Sequence, residues 1–344
     1  MKSYDDTLEM ADMQEYSTID RLTIEKALLD LVDQQISDEA PYLQLARVFD
    51  EQDNYEGLEQ VASYVLRLNP SSAPALAWKA RALQKLNRLS EATIANDQAL
   101  LLDTNLPQAW LNRGGLHLLQ QKFNEALRST QRAVELAPNN ARAWANRGVA
   151  LLNFERFNEA LDAFSNSLRC DPNMMLALQM KGDILCRLGR MREVIPVARQ
   201  ALTLNPSDIT ALTQATQALR AMEQYEALVD VTQELIKQAP DSLFAWDNYI
   251  RGLRGKGDFT AANDALDHAL QLEPDDVRFL TFKADTLYRL QHYREAVNVA
   301  QHALKLAPDY APARRIHEKA VKLMYQRKGK KEKQGKGLPS QHDW

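Results

Sequence analysis

Apolar and small side chains recur along this sequence at helical spacing and, over a longer range, at a fixed interval of 34 residues. Position 4 of each 34-residue segment is large and apolar or aromatic, as at Trp110 and Trp144. Position 8 is mostly small and position 20 is most often Ala, as close helix packing requires. The pattern therefore predicts two helices per segment. Eight segments fill residues 39–310 and begin at residues 39, 73, 107, 141, 175, 209, 243 and 277.

Prolines mark the ends of the segments. Position 32 is Pro in seven segments and Thr104 in the remaining one. Because Pro cannot continue a helix and disfavours helical geometry in the residue before it, each Pro predicts a break between segments. A helix pair of this length cannot bury its own apolar face, so the pairs must stack into an extended array. The seven prolines are Pro70, Pro138, Pro172, Pro206, Pro240, Pro274 and Pro308.

The sequence resembles the tetratricopeptide repeat family, most plainly in two adjacent segments. The residues that carry the resemblance are Trp110, Gly114, Ala126, Ala133 and Pro138 in one segment and Trp144, Gly148, Ala160, Phe164 and Pro172 in the next. The resemblance covers about four fifths of the chain. It implies an all-α fold, a right-handed superhelical solenoid of stacked antiparallel helix pairs, with eight repeats and capping helices at the ends.

The sequence outside the repeats differs in composition from the repeats themselves. Helical periodicity before residue 39 and after residue 310 predicts a cap at each end, because a solenoid needs polar terminal helices for solubility. The expected parts are an acidic, loosely ordered N-terminus (1–16), a capping helix or half-repeat (17–38), the eight repeats (39–310), a C-terminal capping helix (311–326) and a basic, disordered tail (327–344).

Two local irregularities are expected within the array. In repeat six, residues 209–242, the segment from Glu226 to Leu228 lies one residue early, which predicts a local bulge or an altered helix crossing. In repeat seven, Gly252, Gly255 and Gly257 are placed around the turn between the two helices, where glycine supplies backbone freedom.

Composition limits the class of protein. Apolar residues make up 45% of the 344 residues, but no apolar run approaches the roughly 18 residues needed to span a bilayer. The first thirty residues are acidic, unlike a signal peptide. Cys170 and Cys186 are the only cysteines, too few for a disulfide framework or a Cys-x-x-Cys metal site. A reducing cytoplasm is the expected compartment.

No motif in the sequence indicates catalysis, a metal or a cofactor. The six histidines form neither His-Glu-x-x-His nor any pair at i, i+4. His117 falls at the interior position 11 and is expected to be a packed, neutral histidine. The glycines match no phosphate-binding loop or dinucleotide fingerprint, and no nucleophile motif is present. We therefore expect a protein that is not an enzyme and rank a stand-alone enzyme last.

Binding residues are implied by the resemblance. In the tetratricopeptide family, positions 2, 5, 6, 9, 12 and 13 of the first helices line the concave face of the superhelix. Amides at position 6 can pair with a guest backbone through donor and acceptor together, so Asn112 and Asn146 are the first candidates. Arginines on this face favour an acidic segment or a terminal carboxylate, or else pair with local acids. The predicted contacts are Trp78, Arg81, Asn112, Arg142, Asn146, Arg187, Asn248 and Arg251.

A chaperone-type carboxylate clamp is disfavoured. That clamp uses Lys and Asn in one repeat, Asn in the next, and Lys and Arg in the third. Around Asn112 the corresponding residues are Ala77 and Arg81 before it and Arg142 and Asn146 after it, so only fragments match. A different mode of peptide binding remains open.

The two ends of the chain carry opposite charge. Residues 1–60 hold sixteen acids and four bases, and residues 315–344 hold nine bases and three acids. The basic tail favours one alternative, a nucleic-acid-associated regulatory subunit, although a merely solubilising tail is the simpler explanation. The oppositely charged ends of two molecules could also associate head to tail. The leading hypothesis is a cytoplasmic adaptor or scaffold for protein complexes. The tail cations are Arg327, Lys328, Lys330, Lys331, Lys333 and Lys336.

Overall fold

The computed structural model of the protein describes residues 38–334, and the side chains of residues 38–326. All regular structure within this range is helical, and sixteen of its seventeen helices form eight pairs at the 34-residue interval, which confirms the predicted all-α array. The helices are α1 (Ala40–Glu51), α2 (Tyr55–Leu68), α3 (Ala73–Lys85), α4 (Leu89–Leu102), α5 (Pro107–Leu119), α6 (Phe123–Leu136), α7 (Ala141–Leu152), α8 (Phe157–Cys170), α9 (Met175–Arg187), α10 (Met191–Leu204), α11 (Ile209–Ala221), α12 (Tyr225–Gln238), α13 (Leu243–Lys256), α14 (Phe259–Leu272), α15 (Val277–Arg289), α16 (Tyr293–Leu306) and α17 (Ala311–Gln334).

The array falls into two compact units that divide between Ala177 and Leu178. In the first unit each helix from α1 to α8 packs on the next, and the first helices of neighbouring repeats also touch. In the second unit the helices from α10 to α17 pack in the same successive way. The last helix, α17, packs on both helices of repeat eight, as a terminal capping helix does.

Small residues at fixed positions let neighbouring helices approach closely. Gly148 at position 8 faces the ring of Phe164, and a Cβ at Gly148 would lie 2.7 Å from that ring. Phe164 is itself completely buried. The interior of repeat four is therefore filled by one large ring set against a position that has no side chain. The alanines at position 20 are all fully buried: Ala92, Ala126, Ala160, Ala262 and Ala296.

The turn within each repeat places position 15 in the left-handed region, with φ between 55° and 82°. Only Gly189 and Gly257 avoid the steric cost of this conformation, which is roughly 1 kcal/mol for a residue with a Cβ. The other six repeats accept that cost because the turn lets the second helix fold back on the first. Their residues at this position are Asp53, Asn87, Gln121, Glu155, Glu223 and Gln291.

A hydrogen bond from an indole to a carbonyl ties the start of a repeat to the end of the repeat before it. The three bonds, each 2.8 Å long, run from Trp110 to Thr104, from Trp144 to Pro138 and from Trp246 to Pro240. Arg314 of α17 makes the corresponding bond to the carbonyl of Pro308, at 2.7 Å. The main-chain carbonyl of Thr104 therefore supplies the same acceptor as the carbonyls of the prolines. The junction is unchanged although position 32 of this repeat is not Pro.

The bulge predicted for repeat six and the predicted position of two glycines in repeat seven need correction. Repeat six has no bulge, because α11 and α12 occupy the same positions as the helices of the other repeats and Leu228 is fully buried. The turn at Glu223 fixes where the second helix of repeat six begins. The one-residue shift of the segment from Glu226 to Leu228 therefore only places a larger residue, Leu228, at position 20. Gly252 and Gly255 lie inside α13, and only Gly257 lies at the turn, with φ of 82°.

The C-terminal boundary was predicted too early. Helix α17 ends at Gln334 rather than at residue 326, so the prediction of disorder is wrong for residues 327–334. Lys, Glu and Gln are good helix formers, and the next proline after Pro312 comes only at residue 339. The expectations for residues 1–16, for nearly all of 17–38 and for Lys336 lie outside the described residues. No helix within residues 38–334 has the length and apolar character of a membrane span.

Candidate partner-binding surface

The predicted contact residues all lie on the first helices of their repeats. We call the surface formed by positions 2, 5, 6, 9, 12 and 13 of these helices the first-helix face. Trp78, Asn112 and Asn146 occupy position 6 in the first unit, and Asn248 occupies it in the second. Their surroundings differ greatly, and this determines which of them can reach a partner.

An ion-pair triad occupies the first-helix face of the first unit. Asp50 of repeat one accepts from Arg81 Nε of repeat two at 2.9 Å and from Arg142 Nη1 of repeat four at 2.7 Å. Burial raises the pKa of the Asp50 carboxyl, but the two guanidinium groups outweigh burial and hold it below the usual value. Two of the predicted partner-binding arginines are therefore already bound to a carboxylate of the same chain.

Lys85, at position 13 of repeat two, adds a third cation beside the two arginines of this triad. Its Nζ lies 5.4 Å from the centre of the Tyr55 ring, a cation–π contact. Burial and the charge of Arg81 lower the pKa of Lys85. Burial and a hydrogen bond to Asp53 raise the pKa of Tyr55 to about 12. These groups extend the charged surface toward the turn of repeat one.

Asn112 uses its amide to hold two helices together. Its Nδ2 donates to the carbonyl of Ala77 on α3 at 2.7 Å, and its Oδ1 accepts from Gln108 at 2.9 Å. Asn112 is 2% exposed. We therefore leave it out of the contact surface, because a partner cannot reach its amide without breaking these bonds. Trp78 is only half-buried, but it packs against the apolar cluster of repeat one around Tyr42.

Asn146 differs from the other position-6 asparagines. It is half-buried, and its amide has no hydrogen-bond partner among the residues whose side chains are described. It lies one helical turn after Arg142 on α7, so the two side chains are neighbours on the same helix surface. The Asn146 side chain thus carries one donor group and one acceptor atom that are not used within the described residues, and its role as a contact stays a prediction.

In the second unit, the two amides at position 6 are both committed to internal hydrogen bonds. Asn248 is fully buried and donates to the carbonyl of Phe244 at 2.8 Å. Gln214 is 3% exposed and donates to the carbonyl of Gln179 at 2.8 Å. Arg187 is exposed in the last turn of α9, and its guanidinium has no partner among the described side chains.

A basic pocket of about 480 Å³ lies on the first-helix face of repeats six to eight. We call it the Arg254–Phe282 pocket. Phe282, at position 6 of repeat eight, is flanked by two guanidinium groups, Arg251 at 4.9 Å and Arg254 at 4.6 Å from its ring centre. The residues that line the pocket are Arg220, Glu223, Tyr225, Arg251, Arg254, Gly255, Phe259, Phe282 and Arg289.

Arg254 is the incompletely satisfied cation of this pocket. Its Nη2 lies 2.5 Å from Asp285, but its Nη1 is buried and has no hydrogen-bond partner among the described residues. Burial lowers the pKa of Arg254, and the Asp285 charge only partly opposes that effect. Asp285 is shared with Arg289, at 3.2 Å. An anion entering the pocket would therefore meet a desolvated N–H group with no competitor.

Three residues of these two sites, Asp50, Phe282 and Arg254, were not among the contacts predicted from the sequence. Asp50 stands at position 12, and nothing in its own repeat shows that it meets arginines of two other repeats. Phe282 occupies position 6 of repeat eight and Arg254 occupies position 12 of repeat seven, but their positions alone do not show that the two side chains touch. An aromatic residue at position 6 beside arginines at positions 9 and 12 of the preceding repeat is the signal that could have found the pocket.

Comparison with known proteins agrees with this architecture. Residues 111–174 and 253–320 match family models described as tetratricopeptide repeat. The crystal structure of YrrB, described as a TPR protein with an unusual peptide-binding site, is 23% identical with a TM-score of 0.50, covering 54% of this chain and 96% of YrrB. PilF of Pseudomonas aeruginosa is 21% identical with a TM-score of 0.54, covering 61% of this chain and 95% of PilF. A search of curated proteins finds no match.

At these identities the two structures show the fold alone. The helix pairs at the 34-residue interval, the two matched stretches and the shared fold support a protein of the tetratricopeptide repeat family. Stacked repeats of this kind form extended surfaces that bind other proteins. The protein is accordingly a protein-interaction scaffold.

Proposed function

We propose that this protein is a non-catalytic adaptor that binds a carboxylate-bearing segment of a partner protein at the Arg254–Phe282 pocket. The observation that carries the proposal is the buried, unpaired Nη1 of Arg254 in a pocket lined by four arginines. A buried guanidinium N–H group that lacks an acceptor is costly, and a carboxylate can accept from it in a charge-assisted hydrogen bond.

The charge balance of the pocket supports an anionic guest. Four arginines stand against three carboxylates: Glu223 in the lining, Asp247 bonded to Arg251 at 2.7 Å, and Asp285. The remaining surface is aromatic, from Phe282, Phe259 and Tyr225. Such a lining suits an acidic residue or a chain terminus that is preceded by an apolar side chain.

Asn146 is the second contact that we propose, in the first unit. Its unpaired amide can bond to the backbone of an extended segment without selecting a side chain. Arg81 and Arg142 are excluded from this role as long as Asp50 holds them. The adaptor would thus bind a carboxylate of the partner at the second unit and a backbone peptide group of the partner at the first unit.

Peptide selection tests the carboxylate preference directly. A displayed library of random peptides with free C-termini is selected on the full-length protein, and the winners are measured by fluorescence anisotropy. We expect acidic residues or a free terminal carboxylate in the winners, and weaker binding at higher salt. Selected peptides that lack acids and bind equally well after C-terminal amidation would refute the carboxylate preference.

Variants locate the site. Arg254→Met should weaken the selected peptides about tenfold to a hundredfold, the usual effect of losing a hydrogen bond to a charged group. Asp285 keeps Arg289 as a partner in this variant. Arg278→Met is the matched control, because Arg278 is an exposed arginine outside the pocket, paired with Asp276 at 2.9 Å. Equal loss in both variants would mean that the effect is general charge and not this pocket.

A further inference from the structure

Three polar residues occupy interior positions at which the other repeats differ. Position 11 is His117 in repeat three and Leu or Phe in the other seven repeats. Position 23 is Ser129 in repeat three and Ala or Val elsewhere. Position 24 is Asn96 in repeat two, where no other repeat has an amide. All three residues line one cavity of about 530 Å³, between α4 and the helix pair α5 and α6. We call it the Asn96 cavity.

Asn96 is buried without being satisfied. It is 1% exposed, and neither its Nδ2 nor its Oδ1 has a hydrogen-bond partner among the described residues. Repeat four fills the same position with the ring of Phe164, and repeat seven fills it with Leu266, both fully buried. Because buried polar groups in folded proteins are nearly always paired, the two amide atoms of Asn96 point to a polar group that binds beside them.

His117 presents an acceptor in this cavity. Ser129 Oγ donates its only hydrogen to the carbonyl of Glu125 at 2.8 Å, so it must accept from His117 Nδ1, which lies 3.2 Å away. The proton of the neutral ring is therefore on Nδ1, and Nε2 is left as an acceptor. Burial lowers the pKa of His117, which keeps the ring neutral at neutral pH.

The walls of the cavity are aromatic or neutralised. Arg113 pairs with Asp97, and its guanidinium lies 5.3 Å from the centre of the Trp110 ring. Gln120 Nε2 donates to Thr93 Oγ1 at 3.3 Å. The remaining charges of the lining, on Lys122, Glu125 and Arg128, lie on exposed residues at the rim. The interior thus offers uncharged donors and acceptors beside a flat ring.

We propose that the Asn96 cavity binds an uncharged carboxamide, either on a small molecule or on an Asn or Gln side chain. A carboxamide supplies one donor and one acceptor to the Asn96 amide, and its second N–H can reach the acceptor nitrogen of His117. A cavity of this size is within the range of small-ligand sites. The inference concerns the first unit and is independent of the carboxylate site proposed in the second.

Saturation-transfer NMR on the full-length protein provides the test. The probes are benzamide, for a free small molecule, and N-acetylglutamine methylamide, for a side chain. Benzoate and N-acetylglutamate methylamide are the isosteric controls. We expect millimolar binding of at least one carboxamide and about tenfold weaker binding of its carboxylate counterpart. Whichever carboxamide binds more tightly identifies the source.

Two variants keep the outcome decisive. Asn96→Leu, which copies the residue of repeat seven, should abolish carboxamide binding while the protein remains folded. Thr232→Val is the control, at the same buried position of repeat six, and should leave binding unchanged. Absence of binding by both carboxamides, or binding that survives Asn96→Leu, would overturn the proposal. The cavity would in that case be a packing defect whose polar groups are satisfied by water.

Discussion

Removal of the Asp50 carboxylate should destabilise the first unit. Most of the lost free energy should come from Arg81, and little of it from Arg142. The Arg81 side chain is 16% exposed and Arg142 is 43% exposed. In Asp50→Ala, Arg81 would remain largely desolvated without its partner, which costs about 3 kcal/mol when a buried pair is broken. Arg142 can turn to water, so its share should be about 0–1 kcal/mol.

Double-mutant cycles measure the coupling free energy of Asp50 with each of the two arginines. Urea-induced unfolding followed by circular dichroism gives the free energy of unfolding for Asp50→Ala, Arg81→Ala, Arg142→Ala and the two double variants. We expect a coupling of about 2 kcal/mol between Asp50 and Arg81, and less than about 1 kcal/mol between Asp50 and Arg142. The exposed pair of Arg47 and Glu51 on α1 is the control, with a coupling near zero.

The same carboxyl gives a pH signature. Because the pKa of Asp50 is lower in the folded protein than in the unfolded chain, the unfolded state binds more protons in acid. The stabilisation should be complete at neutral pH and disappear as the pH falls below about 3.8 toward the folded pKa. Asp50→Asn should lack this part of the acid dependence. Equal couplings for both arginines, or an unchanged acid slope in Asp50→Asn, would refute the assigned roles.

Further predictions concern the turns and the glycines. Glu155→Gly should stabilise the protein by about 0.5–1 kcal/mol by relieving a left-handed backbone, and Gly189→Ala should destabilise it by a similar amount, both read from the urea midpoint. An unchanged midpoint in both variants would contradict the strain at position 15. Gly148→Ala should cost about 1–3 kcal/mol, since the new methyl would press on the ring of Phe164. Gly115→Ala should be neutral or stabilising, because only a flexible glutamine end lies near its Cβ; equal losses at the two glycines would rule out this packing explanation.

Much of the fold could be predicted from periodicity. The spacing of Trp, Ala and Pro specifies two helices in every 34 residues, since only stacked pairs bury those positions. The end of the last helix could not be located in the same way, because Lys-rich sequence has high helix propensity without an apolar pattern. The bulge expected in repeat six was wrong because the turn at Glu223, and not the Ala column, sets the helix frame.

The binding surface was less predictable. A repeat position tells which side of a helix a residue occupies, but not whether that side is covered. Asn112 and Asn146 occupy the same position, yet the first is bonded to Ala77 and the second has no hydrogen-bond partner among the residues that the structure describes. The pairing of Asp50 with Arg142 spans 92 residues and depends on how four repeats stack. Such contacts follow from tertiary geometry, which a single sequence pattern does not contain.

The indole–carbonyl bond between repeats has a consequence for how such arrays vary. The acceptor belongs to the main chain, so any residue at position 32 can provide it, as Thr104 does for Trp110. The donor, by contrast, belongs to a side chain, and the Leu that stands at position 4 in four other repeats fills the space without donating. Exchange of a proline at position 32 should therefore be tolerated more readily than exchange of the tryptophan that follows it by six residues. The residue that makes the repeat easiest to see in the sequence is thus the one that the junction needs least.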